Sequence, residues 1–172
     1  MPYHCVVLAK QVPDTHQVTG KAMKDDGTVN RAALPAIFNP EDLNALEMAV
    51  QIRDTYGGKV TVMTMCLPAA CEILRESLYR GADQGVLITD RRAAGSDTLA
   101  TSQVLAAAVR HLGDVDLVCC GRQAIDGDTA QVGPQTAEKL DIPQMTYVEK
   151  LLGDEDGSIR VRLNLGHGWA IL

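Results

Sequence analysis

Four short runs along the chain are apolar without alternation and rich in β-branched residues. They are Cys5-Val-Val-Leu-Ala9, Lys59-Val-Thr-Val-Met-Thr-Met65, Gly85-Val-Leu-Ile-Thr89 and Val115-Asp-Leu-Val-Cys-Cys120. A strand with one face in water alternates polar and apolar residues, whereas a continuous run marks a strand covered on both faces. Helical periodicity fills the intervals. Asn39-Pro-Glu-Asp42 reads as a helix start, with a capping residue, proline at the first position and two acids at the positive end of the dipole. Leu43, Leu46 and Val50 follow on one face, and Gly57-Gly58 closes the helix. Pro68 opens a second helix, with Ala70, Leu74 and Leu78 aligned, that ends near Gly81. Ser96-Asp97 opens a third, from about Thr98 to His111, whose Ala106-Ala-Ala108 stretch suits close packing on a sheet. A fourth runs from near Thr129 to Leu140.

Strands and helices in alternation predict an α/β fold, a parallel sheet sandwiched by helices. Two stretches break the rhythm. Residues 11–38 form a long polar connection, and one of that length is functional or carries a small hairpin of its own, with Asp26-Gly27 as a plausible turn. From Tyr147 onward the period becomes two: Ile159, Val161, Leu163 and Leu165 alternate with Arg160, Arg162 and Asn164. That pattern predicts an antiparallel strand pair near the C-terminus, with Gly153 to Gly157 as its turn, either added to the main sheet or projecting from it.

Composition narrows the function. The 172 residues fit one domain. They are 46% hydrophobic, enough for a core, but only six are aromatic (Tyr3, Phe38, Tyr56, Tyr79, Tyr147 and Trp169), so that core is aliphatic. Sixteen Lys and Arg face twenty-two Asp and Glu, a net charge of −6, the wrong field for a polyanion. With no aromatic platform on a basic groove, nucleic-acid binding is not expected. No apolar run approaches the roughly 20 residues of a membrane span. Five cysteines without framework spacing, behind no leader segment, predict reduced thiols and a cytoplasmic protein.

In open parallel sheets the ligand sits beyond the carboxyl ends of the strands, where the strand order reverses. The richest stretch at such an end is Gly121-Arg-Gln-Ala-Ile-Asp-Gly-Asp-Thr-Ala-Gln-Val-Gly-Pro134. Backbone N–H groups at the following helix start, with Thr129 and Gln131, suit a phosphate, and Arg122 adds charge or stacking. Asp126 and Asp128 would repel a bare anion, so they bond to backbone or ribose hydroxyls or face a metal. The plain alternative is an ordinary loop capped by Asp128 or Thr129. Lys10, in Lys10-Gln-Val-Pro-Asp14, either faces an anionic ligand or is a solvated strand end, while Asp14 could cap a turn after Pro13. Neither GxGxxG nor GxxxxGK[ST] is present, nor is a nucleophile elbow. His4, His16, His111 and His167 lack ligand spacing, so no metal site is expected. Cys119-Cys120 sit in an apolar strand, which raises a thiol pKa, and read as packing.

These pieces, in order, resemble the beta subunit of electron transfer flavoproteins. The matching segments are Val6 to Asp14, Asn39 to Asp42, Ala45 to Ala49, Gly81-Ala-Asp83, Asp97 to Ser102, Gly121 to Pro134 and Ile142 to Tyr147. The resemblance implies one Rossmann-like, adenine-nucleotide-binding domain over residues 1–172, and an electron carrier in place of an enzyme. It would work as a heterodimer with an alpha subunit, passing electrons between a flavin dehydrogenase and another redox partner. The pocket would hold AMP in simple carriers or FAD in bifurcating ones; Gly127, Thr129 and Ala130 look more like the FAD-holding version. Carried over by position, the nucleotide meets Leu8, Ala9 and Lys10, then Asn39, Pro40, Glu41 and Asp42, and Cys66. Arg122, Gln123, Ala124, Ile125, Asp126, Gly127, Asp128, Thr129, Ala130, Gln131, Val132 and Gly133 complete it. The family's partner-recognition loop and C-terminal arm would lie past Leu172. The alternative is a stand-alone adenine-nucleotide-binding module without electron transfer.

Overall fold

The computed structural model describes residues 2–14, 34–155 and 158–172. Its centre is a four-stranded parallel sheet of β1 (Tyr3–Leu8), β4 (Gly58–Met65), β5 (Gln84–Ile88) and β6 (Leu117–Cys120), ordered β5-β4-β1-β6. The four apolar runs became these strands, with ends shifted by a residue or two. Helices α1 (Pro40–Tyr56), α2 (Cys71–Tyr79), α3 (Thr98–Leu112) and α4 (Val132–Leu140) cover it.

Because successive side chains of a strand point to opposite faces, β1 serves two cores. Cys5, Val7 and Ala9 pack with Ala45, Leu46, Ala49 and Ile52 of α1 and with Ile73 and Leu74 of α2. Val6 and Leu8 pack with Leu105 and Val109 of α3, and with Val132 and Leu140 of α4. Residues Cys5, Val6 and Val7 are wholly buried, which explains why the run lacks alternation.

The strand order locates the reversal. The chain moves outward from β1 to β4 and β5, then returns to the other side of β1 for β6. Leu8 lies beside Cys120 in that pairing. The segments leaving β1 and β6 therefore diverge from one point at the carboxyl edge, the ligand-binding place in this class of sheet.

Several expected boundaries are corrected. The second helix opens as a 3-10 turn, Pro68–Ala70, before α2 begins at Cys71. The fourth begins at Val132, three residues after Thr129, because Asp128 and Ala130 hold left-handed backbone at φ 50° and 52°. Neither Asp128 nor Thr129 caps it. The long polar connection is zipped at its base into a two-stranded ribbon, β2 (Gln11–Pro13) with β3 (Ala36–Phe38). Asp14, at its start, is buried and donates its N–H to the Pro35 carbonyl. Asp26-Gly27 lies outside the described residues.

Near the C-terminus the expected strand pair is a separate three-stranded antiparallel sheet: β7 (Val148–Glu155), β8 (Ser158–Asn164) and β9 (Trp169–Ile171). Gly153 is part of β7, at a register shift, instead of opening the turn. The third strand is too short to show a period. Among the described residues no helix is long and apolar enough to cross a membrane.

One backbone approach sets a strict limit. Gly58 holds φ +115°, and a Cβ there would sit 1.9 Å from the Tyr3 carbonyl oxygen. Both the dihedral and the contact exclude a side chain. Gly58→Ala is expected to lower unfolding free energy by at least about 2 kcal/mol, read from urea denaturation. An unchanged midpoint would contradict the close packing of β1 on β4.

Candidate functional site

Two polar side chains at the start of α1 organise the carboxyl edge. Asn39 is fully buried and Asp42 nearly so, at 0% and 6% exposure. Asn39 stands at the N-cap position, yet its side chain makes no capping bond. Its Nδ2 donates to the Gln123 carbonyl at 2.9 Å, and its Oδ1 accepts from the Ile125 N–H at 3.2 Å. Its own N–H donates to the Lys10 carbonyl at 2.9 Å. The Asn39 side chain thus reads the backbone of the segment after β6, while its main chain holds the segment after β1.

Asp42 does the same with a carboxylate. Oδ2 accepts the Lys10 N–H at 2.8 Å, and the Gly121 N–H is its second backbone donor. Burial is the dominant influence on its carboxyl, pushing it up to about 6 against the pull of the Asn39, Lys10 and Gly121 donors and the Lys10 charge. Gly121 fits only because it is glycine: a Cβ would lie 2.3 Å from Asp42 Oδ1 and 2.6 Å from the Glu41 carbonyl carbon.

Ion pairs finish the frame. Lys10 Nζ lies 2.6 Å from Asp126 Oδ1, where the Asp126 side chain is only 6% exposed. Arg122 reaches Glu41 at 3.1 Å. Gln123 Nε2 donates to Asp128 Oδ1 at 2.8 Å. Each acidic side chain that would repel a phosphate is therefore already engaged by a donor of the protein. Lys10 is neither a bare solvated end nor a free cation aimed at a ligand, because it is paired across the two segments.

Beyond this frame, Gly127 to Gln131 are exposed and polar. Gln131 does not cap α4; its Oε1 accepts from Thr98 Oγ1 at the start of α3, at 2.9 Å. The first-turn N–H groups of α4 consequently lack a side-chain cap, and the two left-handed residues before them turn the backbone sharply. Orphan N–H groups at a helix start, behind a kinked backbone, suit an anion.

The sequence-based site residues divide into four groups. Lys10, Asn39, Glu41, Asp42 and the stretch Arg122 to Asp126 are brought together by the bonds above. Gly127 to Gly133 continue to the α4 start. Leu8 and Ala9 are buried at the end of β1, where Ala9 N–H donates to the Met63 carbonyl at 2.9 Å. Pro40 is exposed, and Cys66 is half-buried one strand away, its N–H on the Ile88 carbonyl. No hydrogen bond joins Cys66 to the frame. Sequence reasoning missed Thr98 and the close approach at Gly121; glycine directly after an apolar strand was the available signal for the latter.

The cysteines at this edge are packing groups. Burial first, and then the Asp42 charge, push Cys120 up to about 12, and Cys119 rises through its bond to Cys5 and burial. A cavity of about 350 Å³ opens to one side, between the β2–β3 ribbon and α2, lined by Gln11, Phe38, Pro40, Leu43, Ile73 and Glu76. It shares only Pro40 with the site.

Removing the Asn39 amide strands a part-buried carbonyl, on Gln123, and a part-buried N–H, on Ile125, together. Asn39→Ala is expected to cost about 2–4 kcal/mol in a urea melt. Amide exchange should quicken over residues 121–126 more than in β4. Uniform acceleration across the sheet would contradict the frame described here.

The model for the electron transfer flavoprotein domain matches residues 26–169. An acryloyl-CoA reductase electron transfer subunit gamma of Anaerotignum propionicum is 56% identical over 82% of this chain and 53% of its own. An electron transfer flavoprotein subunit beta of Clostridium acetobutylicum is 50% identical over 97% of this chain and 63% of its own. The caffeyl-CoA reductase-Etf complex subunit CarD of Acetobacterium woodii is 48% identical over the same shares. The chain thus spans about half to two-thirds of the length of the curated relatives it matches. With a matching domain over most of its length, and relatives near 50% identity named as beta and electron transfer subunits, the chain belongs to the electron transfer flavoprotein family.

Proposed function

We propose that this chain is the nucleotide-holding unit of an electron-carrier subunit, working as a heterodimer with an electron transfer flavoprotein alpha subunit. In that role it passes electrons between a flavin dehydrogenase and another redox partner and makes no substrate chemistry of its own. The observation that carries the reading is the uncapped α4 start at the reversal point, set behind a loop whose carboxylates are already engaged. Such a surface can accept a phosphate or diphosphate on its backbone N–H groups, with Asp126 and Glu41 already held in ion pairs. Relatives named as an acryloyl-CoA reductase electron transfer subunit and a caffeyl-CoA reductase-Etf complex subunit support the electron-transfer role.

The nucleotide is FAD in preference to AMP, on the Gly127, Thr129 and Ala130 form of the loop. Residues Thr129 to Gly133 would hold its phosphates through backbone N–H groups. The Gln123 to Asp128 stretch, fixed by Asn39, would flank the ribose. Bound there, a flavin supplies the redox chemistry, while the protein supplies placement and electrostatics. Lys10 and Arg122 hold Asp126 and Glu41 in ion pairs, so the loop meets the ligand with little net charge of its own. Leu8 and Ala9 close the inner wall with apolar atoms and exclude water from it. Residues 1–172 form one such domain, located in the cytoplasm.

Co-purification with the alpha subunit, followed by denaturation and counting of released nucleotide, tests this. Two FAD per heterodimer is the expected result. One FAD with one AMP would favour the simple-carrier form, and an empty site on this chain would overturn the reading. A chain that holds AMP but shows no flavin-linked electron transfer with any partner would be a stand-alone nucleotide module.

A further inference from the structure

The geometry around Asp42 asks for a particular protonation state. Two backbone N–H groups converge on this one side chain, from Lys10 after β1 and from Gly121 after β6. A carboxylate accepts on both oxygens; an amide or a protonated acid keeps one acceptor and turns a hydrogen toward the other donor. Only the ionised form satisfies both segments at once.

We propose that Asp42 is a positioning residue acting as a carboxylate latch: ionised, it holds the two ligand-side segments together, and protonation releases them and weakens nucleotide binding. The coupling to binding rests on the nucleotide reading above, whereas the latch itself does not. Asn39 holds the same segments, its backbone N–H on the Lys10 carbonyl and its side chain on Gln123 and Ile125, through bonds that no proton alters, so release is local and the fold persists.

The charged and titratable groups around Asp42 come from each neighbouring segment. Lys10 is the cation that favours its ionised form, although its ammonium is engaged with Asp126. Cys120 at the end of β6 keeps its proton and stays neutral. Glu41, the neighbour on α1, is paired with Arg122. Burial sets Asp42 itself near 6.

The test uses the full chain in two measurements. In an NMR titration from pH 7.5 to 5, the Lys10 and Gly121 amide protons should shift together with a midpoint near 6. The Ala9 amide, bonded within the sheet, should stay still, and Asp42→Asn should abolish the titration. FAD is the binding probe, because its diphosphate keeps its charge over this range. Its affinity is expected to fall about tenfold across the titration in the wild type. In Asp42→Asn it should be about tenfold weaker at pH 7.5 and flat.

Amide protons of Lys10 and Gly121 that do not move overturn the latch, whatever FAD does. If they titrate while FAD affinity holds constant, its coupling to the site is overturned. If they titrate and neither FAD nor AMP binds at any pH, the latch stands and the nucleotide reading fails. Should Asp42→Asn not fold, the wild-type amides and the wild-type FAD profile decide between these outcomes alone.

Discussion

The carboxyl edge of this sheet depends on one buried, negatively charged oxygen pair. Asp42 is held near 6 by burial, roughly two units above the ordinary carboxyl. At neutral pH its charge therefore opposes folding by on the order of 3 kcal/mol. The folded chain retains the proton at pH values where the unfolded chain has lost it. Stability contributed by this group accordingly falls as pH rises from about 3.8 to about 6. A hydrophobic residue would avoid that cost but would leave the Lys10 and Gly121 N–H groups without acceptors. The fold keeps an expensive charge where two chain segments must diverge by a fixed distance.

Everything around the site follows from that divergence. Parallel strands in reversed order leave a gap between the segments after β1 and β6, and no regular ladder can bridge it. Asn39 and Asp42, three residues apart at one helix start, bridge it, Asp42 with its carboxylate and Asn39 with its backbone N–H on one side and its side-chain amide on the other. Gly121 must approach so closely that no Cβ fits. Helix α1 is consequently more than a cover for the sheet. Its apolar stripe of Ala45, Leu46, Ala49 and Ile52 fixes the height at which its first turn meets both segments.

The layers were legible in the sequence because buried parallel strands show as continuous apolar runs, and because glycine, proline and Asp97 mark helix ends. The latch was not. Asn39-Pro-Glu-Asp42 has every feature of a helix start, and the same residues serve equally well as long-range clamps. What separates the two roles is the partner, here Gln123 and Ile125, more than eighty residues away. The start of α4 was misplaced for a local reason, since Asp128 and Ala130 adopt left-handed backbone without the glycine that advertises it. The strand β9 was hidden by its length: three residues carry no period.

An acidic loop in a negatively charged chain seems a poor seat for a phosphate-bearing ligand, yet the side-chain charges here are spent locally. Asp126 faces Lys10, Glu41 faces Arg122, and Asp128 accepts from Gln123. The consequence of the two ion pairs is electrostatic: they cancel near-field charge at the loop, while the Gln123 amide fixes Asp128 without removing its charge. What remains directed outward is the backbone, with the uncapped N–H groups of α4 and the positive end of its dipole. The dipole falls off within a turn, which makes the spacing of the loop from α4 decisive. That spacing is set from behind by Asn39 and Asp42, neither of which has more than 6% of its surface in contact with solvent. On the nucleotide reading proposed above, recognition at this edge would be built from main chain, because its side chains act chiefly on one another.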